Sequence, residues 1–222
     1  FSAILGPFIP PLLEKDRRSE LQKIYKFTTR WIIILSLPMC IFMFFGAKDL
    51  LSLFGNDYIV ASFPLIIITS AHIVNLSVGA TDVILVMSGY SKLDAINNIA
   101  ILIITIILIP IFVPKFALVG AALTQAIAII IVNLIKLVQI YKRKGIHPFS
   151  RKLIAPVIVS IITFGICQIL FAYIIIVEEH VWNLLKTAIV VGSIYFSGVL
   201  LLCLSSEDKM IWKSMISSRL DG

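Results

Sequence analysis

The run IAILIITIILIPIFV, residues 99–113, constrains this chain more than any other feature. It shows no alternation of apolar and polar positions, so it is not a membrane barrel strand, which alternates over about ten residues. Similar runs recur along the chain with short gaps between them. In hydrocarbon a segment must satisfy its own backbone N–H and C=O groups, and a single segment does that only as a helix. Composition agrees: the chain is 59% hydrophobic and 14% charged, whereas a soluble domain carries roughly 25% charged residues. The expected fold class is therefore all-α and integral to a membrane.

The pattern predicts six full spans, at about 27–46, 59–89, 93–112, 117–141, 153–176 and 183–204. Residues 1–13 read as the end of a truncated first span, closed by Pro7, Pro10 and Pro11. In residues 14–30, Leu21, Ile24, Tyr25 and Thr28 share one helical face with Trp31, and Lys23, Lys26 and Arg30 lie elsewhere. That is an interfacial helix running into the first span. Pro38 predicts a kink in that span. The 59–89 stretch exceeds what a ~30 Å hydrocarbon core requires, so it must tilt, bend or project. Pro114 to Phe116 forms the turn between the third and fourth spans. The tail, 205–222, carries Ile211, Trp212, Met215 and Ile216 on one face and is expected at the membrane surface.

Net charge is +7, yet the basic residues sit in the gaps between apolar runs. That placement suits membrane orientation and excludes a nucleic-acid partner. Six Lys and Arg fall between Lys15 and Arg30, one at Lys92, six between Lys136 and Lys152, and three between Lys209 and Arg219, which makes 16 of 19 on one side. By the positive-inside rule, loops 14–30 and 142–152 and the C-terminus are cytoplasmic, and Glu178 and Glu179 lie outside. The protein is thus expected in the cell membrane, surrounded by lipid.

No short catalytic motif is present, and no metal or cofactor is expected. Cys40, Cys167 and Cys203 lie in three different spans and read as small hydrophobes. The absence of a large extramembrane loop argues against an integral-membrane glycosyltransferase or ligase.

The informative residues are polar ones within spans, where polarity is costly and usually faces a bundle interior or a wet cavity. His72, Asn75, Gly79 and Asp82 fall within an arc of about 80° on a regular helix. They form either the wall of a hydrated cavity or a set of interhelical hydrogen bonds. Gln125, Asn133, Lys136 and Gln139 fall within about 120°. Lys136 either points into a cavity or snorkels to the interface. Asp94, Asn97 and Asn98 read as a wet helix start. Arg30 reads as an interfacial anchor or as part of a vestibule. Gly120, Ala121 and Ala122 read as a close-packing surface.

The order of segments carries a resemblance. A basic amphipathic stretch leads into a span with a central proline, then LFGNDY at 53–58, LVMSGYSKL at 85–93, and Pro114-x-Phe-x-x-x-Gly-Ala-Ala-Leu-Thr124. Over about residues 1–145 this resembles the C-terminal half of a polysaccharide-repeat or O-antigen flippase, of the multidrug/oligosaccharidyl-lipid/polysaccharide exporter superfamily. The resemblance implies that this chain is one lobe of a two-lobe fold and that an N-terminal lobe precedes it. It implies a lipid-linked oligosaccharide as cargo, flipped across the cytoplasmic membrane by alternating access with no covalent step. The cargo's pyrophosphate would call for cations, and Arg30, Lys92 and Lys136 are the candidates. A cation-coupled multidrug exporter of the same fold is the alternative, and a membrane glycosyltransferase or ligase the second.

Overall fold

The structure is a computed structural model that describes residue 9, residues 18–173 and residues 180–203. Most of the predicted truncated span at 1–13, the carboxylates Glu178 and Glu179, and the tail 205–222 lie outside the described residues. Among the described residues every regular element is helical. Helix α1 spans Arg18–Ser52, α2 Ser62–Val78, α3 Thr81–Leu85, α4 Ser91–Lys144, α5 Ile154–Tyr173 and α6 His180–Leu202. Five helical segments are long and apolar enough to cross a membrane, as in a multi-pass membrane protein.

The predicted interfacial helix and first span form one continuous helix, α1, which runs through Pro38. Helix α1 is the spine of the bundle. On one side Ile34 and Ile41 pack with Val159 and Cys167 of α5 and with Val191, Tyr195 and Val199 of α6. At its N-terminal end Leu21 and Tyr25 pack with Ile84 and Leu85, with Ile140 at the end of α4, with Ile146, and with Ile9. Helix α2 packs against α4 through Ala71, Ala126 and Ile129. Hydroxyls inside the helices bond their own turn, as Thr69 to the Leu65 carbonyl at 2.8 Å and Ser160 to the Pro156 carbonyl at 2.7 Å. Such back-bonding satisfies a hydroxyl without a partner helix.

The 59–89 stretch is not one helix. A tight 3-10 turn covers Asn56–Ala61, after Gly55 at φ 128°. The chain then breaks at Gly79, with φ 67° and ψ −147°, and again at Gly89, with φ 83° and ψ 8°. Side-chain-bearing residues rarely adopt these conformations. The excess length foreseen from the sequence is thus absorbed by bending at two glycines.

Helix α4 folds back on itself. Ala117 has φ 48° and ψ −124°, directly after the predicted Pro114–Phe116 turn. Asn97 bonds Gln139 across the two arms, so residues 91–116 and 118–144 run antiparallel. The arms touch close to the turn. A Cβ on Gly120 would collide with the Phe112 carbonyl and come within 2.9 Å of the Val113 nitrogen. These are backbone atoms and cannot rotate aside. Ala122 is buried as expected for a packing surface, whereas Ala121 is exposed. Gly120→Ala is expected to destabilise the protein by about 1–3 kcal/mol, the usual cost of overpacking. A thiol-reactive dye that reports exposure of Cys40, Cys167 and Cys203, all buried, measures this. An unchanged melting profile would show that the arms separate at no cost.

Candidate functional site

The polar residues of the α4 hairpin form one network. Lys136, 8% exposed as a residue, places its Nζ 2.9 Å from Asp94 Oδ1. The same Nζ lies 3.4 Å from Asn98 Oδ1. Asn98 Nδ2 donates to Asp94 Oδ2 at 3.2 Å. One turn away, Asn97 Nδ2 donates to Gln139 Oε1 at 2.7 Å and Gln139 Nε2 returns a bond to Asn97 Oδ1 at 3.0 Å. Most of the residues between this network and the turn are apolar. A cation, a carboxylate and three amides therefore satisfy one another, with Lys136 and Asn97 buried, Asp94 and Gln139 partly buried and Asn98 exposed.

The structure divides the sequence candidates. Lys136 and Gln139 belong to the network, and Asp94, Asn97 and Asn98 are its other half. Asn133 instead bonds the Ile129 carbonyl of its own helix at 2.8 Å. Gln125 is half-buried and lies about three helical turns before Lys136 on its arm. His72 and Asp82 are exposed and Asn75 is half-buried. They do not share one regular helical face, because Gly79 breaks the helix between Asn75 and Asp82. Lys92 is exposed. Arg30 is buried and donates to the Cys203 carbonyl, just past the end of α6. A cation at a helix C-terminus is favoured by the helix dipole, so Arg30 ties α1 to α6.

The break at Gly79 is held by α1. Tyr25 Oη donates to the Val78 carbonyl at 2.7 Å and lies 3.0 Å from Thr81 Oγ1. Thr81 Oγ1 also bonds the Val78 carbonyl at 2.6 Å. Thr29 packs directly on Gly79, and its own hydroxyl bonds the Tyr25 carbonyl at 2.8 Å. The break leaves the Val78 carbonyl without its usual helical partner, and the Tyr25 and Thr81 hydroxyls satisfy it.

Two pairings gave no sequence signal. His180 Nδ1 lies 2.6 Å from Asp49 Oδ1 and joins the start of α6 to the end of α1. Gln22 bonds the backbone of His147 twice, at 2.6 Å and 3.0 Å, and fastens the loop after α4 to α1. In each pair the partners are more than a hundred positions apart in the chain.

Among the described residues no group of His, Cys, Asp and Glu is placed to hold a metal ion. No protein-family model, curated protein or solved structure matches this chain.

Proposed function

We propose that this chain is the second lobe of a two-lobe exporter that flips a lipid-linked oligosaccharide across the cell membrane. In this reading it crosses the bilayer six times. The two arms of α4, at about 26 residues each, are long enough to span a ~30 Å core separately. The basic ends, including 14–30 and 142–152, face the cytoplasm. The pathway runs between this lobe and an N-terminal one, and no covalent bond is made or broken.

The observation that carries the reading is the Lys136–Asp94–Asn98 cluster. An ion pair buried in a membrane-spanning hairpin is expensive to maintain. A purely structural hairpin needs none. Lys136 offers an ammonium to the pyrophosphate of a lipid-linked sugar, and Asp94 occupies it in the absence of cargo. The broken helix at Gly79 supports the same reading, because transporters place discontinuous helices beside their substrate paths. The order of motifs from residue 1 to about 145 supports it independently.

A flippase-null strain making a surface polysaccharide tests this. The chain expressed together with a separately encoded N-terminal half should restore surface glycan, and Lys136→Ala should reduce that recovery at least tenfold. Full recovery by this chain alone would sink the two-lobe reading. A covalently altered lipid-linked sugar would point to an enzyme instead. Sidedness is checked with single cysteines in a cysteine-free background. One at Ser52 should react with an impermeant maleimide in intact cells, and one at Ser150 only after lysis.

A further inference from the structure

At the end of α4 two cations converge on one aromatic ring. The Arg143 guanidinium lies over Tyr90 at 4.6 Å from the ring centroid, and Lys144 Nζ lies 5.7 Å from the same centroid. Among the described residues no carboxylate is within ion-pairing distance of either. A third cation, Arg18, packs against Gly145, the residue that follows. Like charges gathered in this way repel one another unless an anion joins them.

The ring beneath them is seated on the core. Tyr90 packs on the cluster of Leu21, Tyr25, Ile84, Leu85, Ile140 and Ile146. Gly145 turns the chain in a left-handed conformation and returns its N–H to the Tyr141 carbonyl at 2.8 Å. A guanidinium held against a ring keeps the N–H groups at its edge free, and that edge matches two phosphate oxygens. The ring fixes the guanidinium plane, so little further ordering is required on binding. Tyr141, 59% exposed, stands on the same end of the helix, and tyrosine favours the head-group level of a bilayer.

We propose that Tyr90, Arg143 and Lys144, flanked by Arg18, form a specific site for the phosphate of an anionic bilayer lipid. The site lies at the end of the hairpin, in the layer where such phosphates reside. It depends on the membrane setting alone and is independent of the transported cargo. Its ligand is a lipid, because the apolar outer faces of the helices below it, including Ile131, Leu134, Ile135 and Val138, are exposed and available to acyl chains.

The test is lipid retention by the purified chain in detergent, read by native mass spectrometry with phosphatidylglycerol and phosphatidylcholine supplied in equal amounts. Detergent removes the diffuse field of a charged bilayer, so a retained lipid reports a built site. One phosphatidylglycerol per chain should be retained in preference to phosphatidylcholine. Arg143→Gln with Lys144→Gln should weaken retention at least tenfold, because it removes the charge-assisted hydrogen bonds to the phosphate that remain once the diffuse field is gone. Tyr90→Leu preserves apolar packing and should weaken it about fivefold. The charge-matched control, Lys23→Gln with Lys26→Gln, should retain the lipid as the parent does. Equal loss in the control and the Arg143/Lys144 variant would overturn the proposal in favour of undirected charge. Displacement of the lipid by millimolar inorganic phosphate would overturn it in favour of a free-anion site. Lys23 and Arg143 are exposed and Lys26, Tyr90 and Lys144 partly exposed, and a normal melting profile in each variant separates lost binding from lost folding.

Discussion

Asp94→Ala is expected to destabilise the protein by about 3–5 kcal/mol, the cost of leaving one member of a buried ion pair without its partner. The two side chains are 10% and 16% exposed, so water replaces the lost carboxylate only in part. Asn98 remains beside Lys136 but supplies a neutral oxygen at 3.4 Å. Removing both charges together is a different matter. Asp94→Leu with Lys136→Met leaves apolar side chains in an apolar hairpin, and such replacements are often neutral or stabilising. The double variant should therefore melt close to the parent, well above Asp94→Ala. Its transport should fail if the cation serves cargo, so stability and function part company in one protein. High salt should barely change the order, because a buried pair is poorly screened. The dye-reported melting curves decide it. A parental curve for Asp94→Ala would mean that Lys136 reaches water unaided, and the pair would then be a surface contact.

The apolar helices and the turn at Pro114–Phe116 were legible because long uncharged runs and clustered prolines are local signals. The hairpin register was legible in principle as well. A turn at 114–117 places residues near 94–98 opposite residues near 136–140, so Asp94 was the available counter-ion for Lys136. Read along a single helix, Asp94 looked like a wet helix start, and Lys136 could either point into a cavity or snorkel to the interface. The stripe from His72 to Asp82 misled for the opposite reason. Helical periodicity assumes an unbroken helix, and a glycine in an apolar run does not announce positive φ. What selects that conformation at Gly79 lies some fifty residues upstream, in Tyr25 and Thr29. Arg30 shows the same limit, since its acceptor at Cys203 is 173 positions away.

Gly79→Ala is expected to cost roughly 2–6 kcal/mol, combining two separable penalties. The first is conformational. At φ 67° and ψ −147° a residue with a Cβ is strained by about 1–3 kcal/mol. The second is steric. The new Cβ would run into the Thr29 hydroxyl and come within 3.0 Å of Thr29 Cβ and 3.1 Å of its Cγ2. Overpacking of that kind costs about 1–3 kcal/mol. Thr29 cannot swing away freely, because its hydroxyl is bonded to the Tyr25 carbonyl and its residue is fully buried. Thr29→Ala in the Gly79→Ala background should recover the steric part and leave the conformational part. Tyr25→Phe supplies an independent check. It removes the bond to the Val78 carbonyl and the contact with Thr81 without adding an atom near Gly79. Its expected cost is about 1–3 kcal/mol, and Thr81, which still bonds that carbonyl, limits the loss. If Gly79→Ala melted as the parent does, the alanine would be continuing the helix past Val78. His72, Asn75 and Asp82 would then return to one face, and the case for a broken helix braced by α1 would be lost.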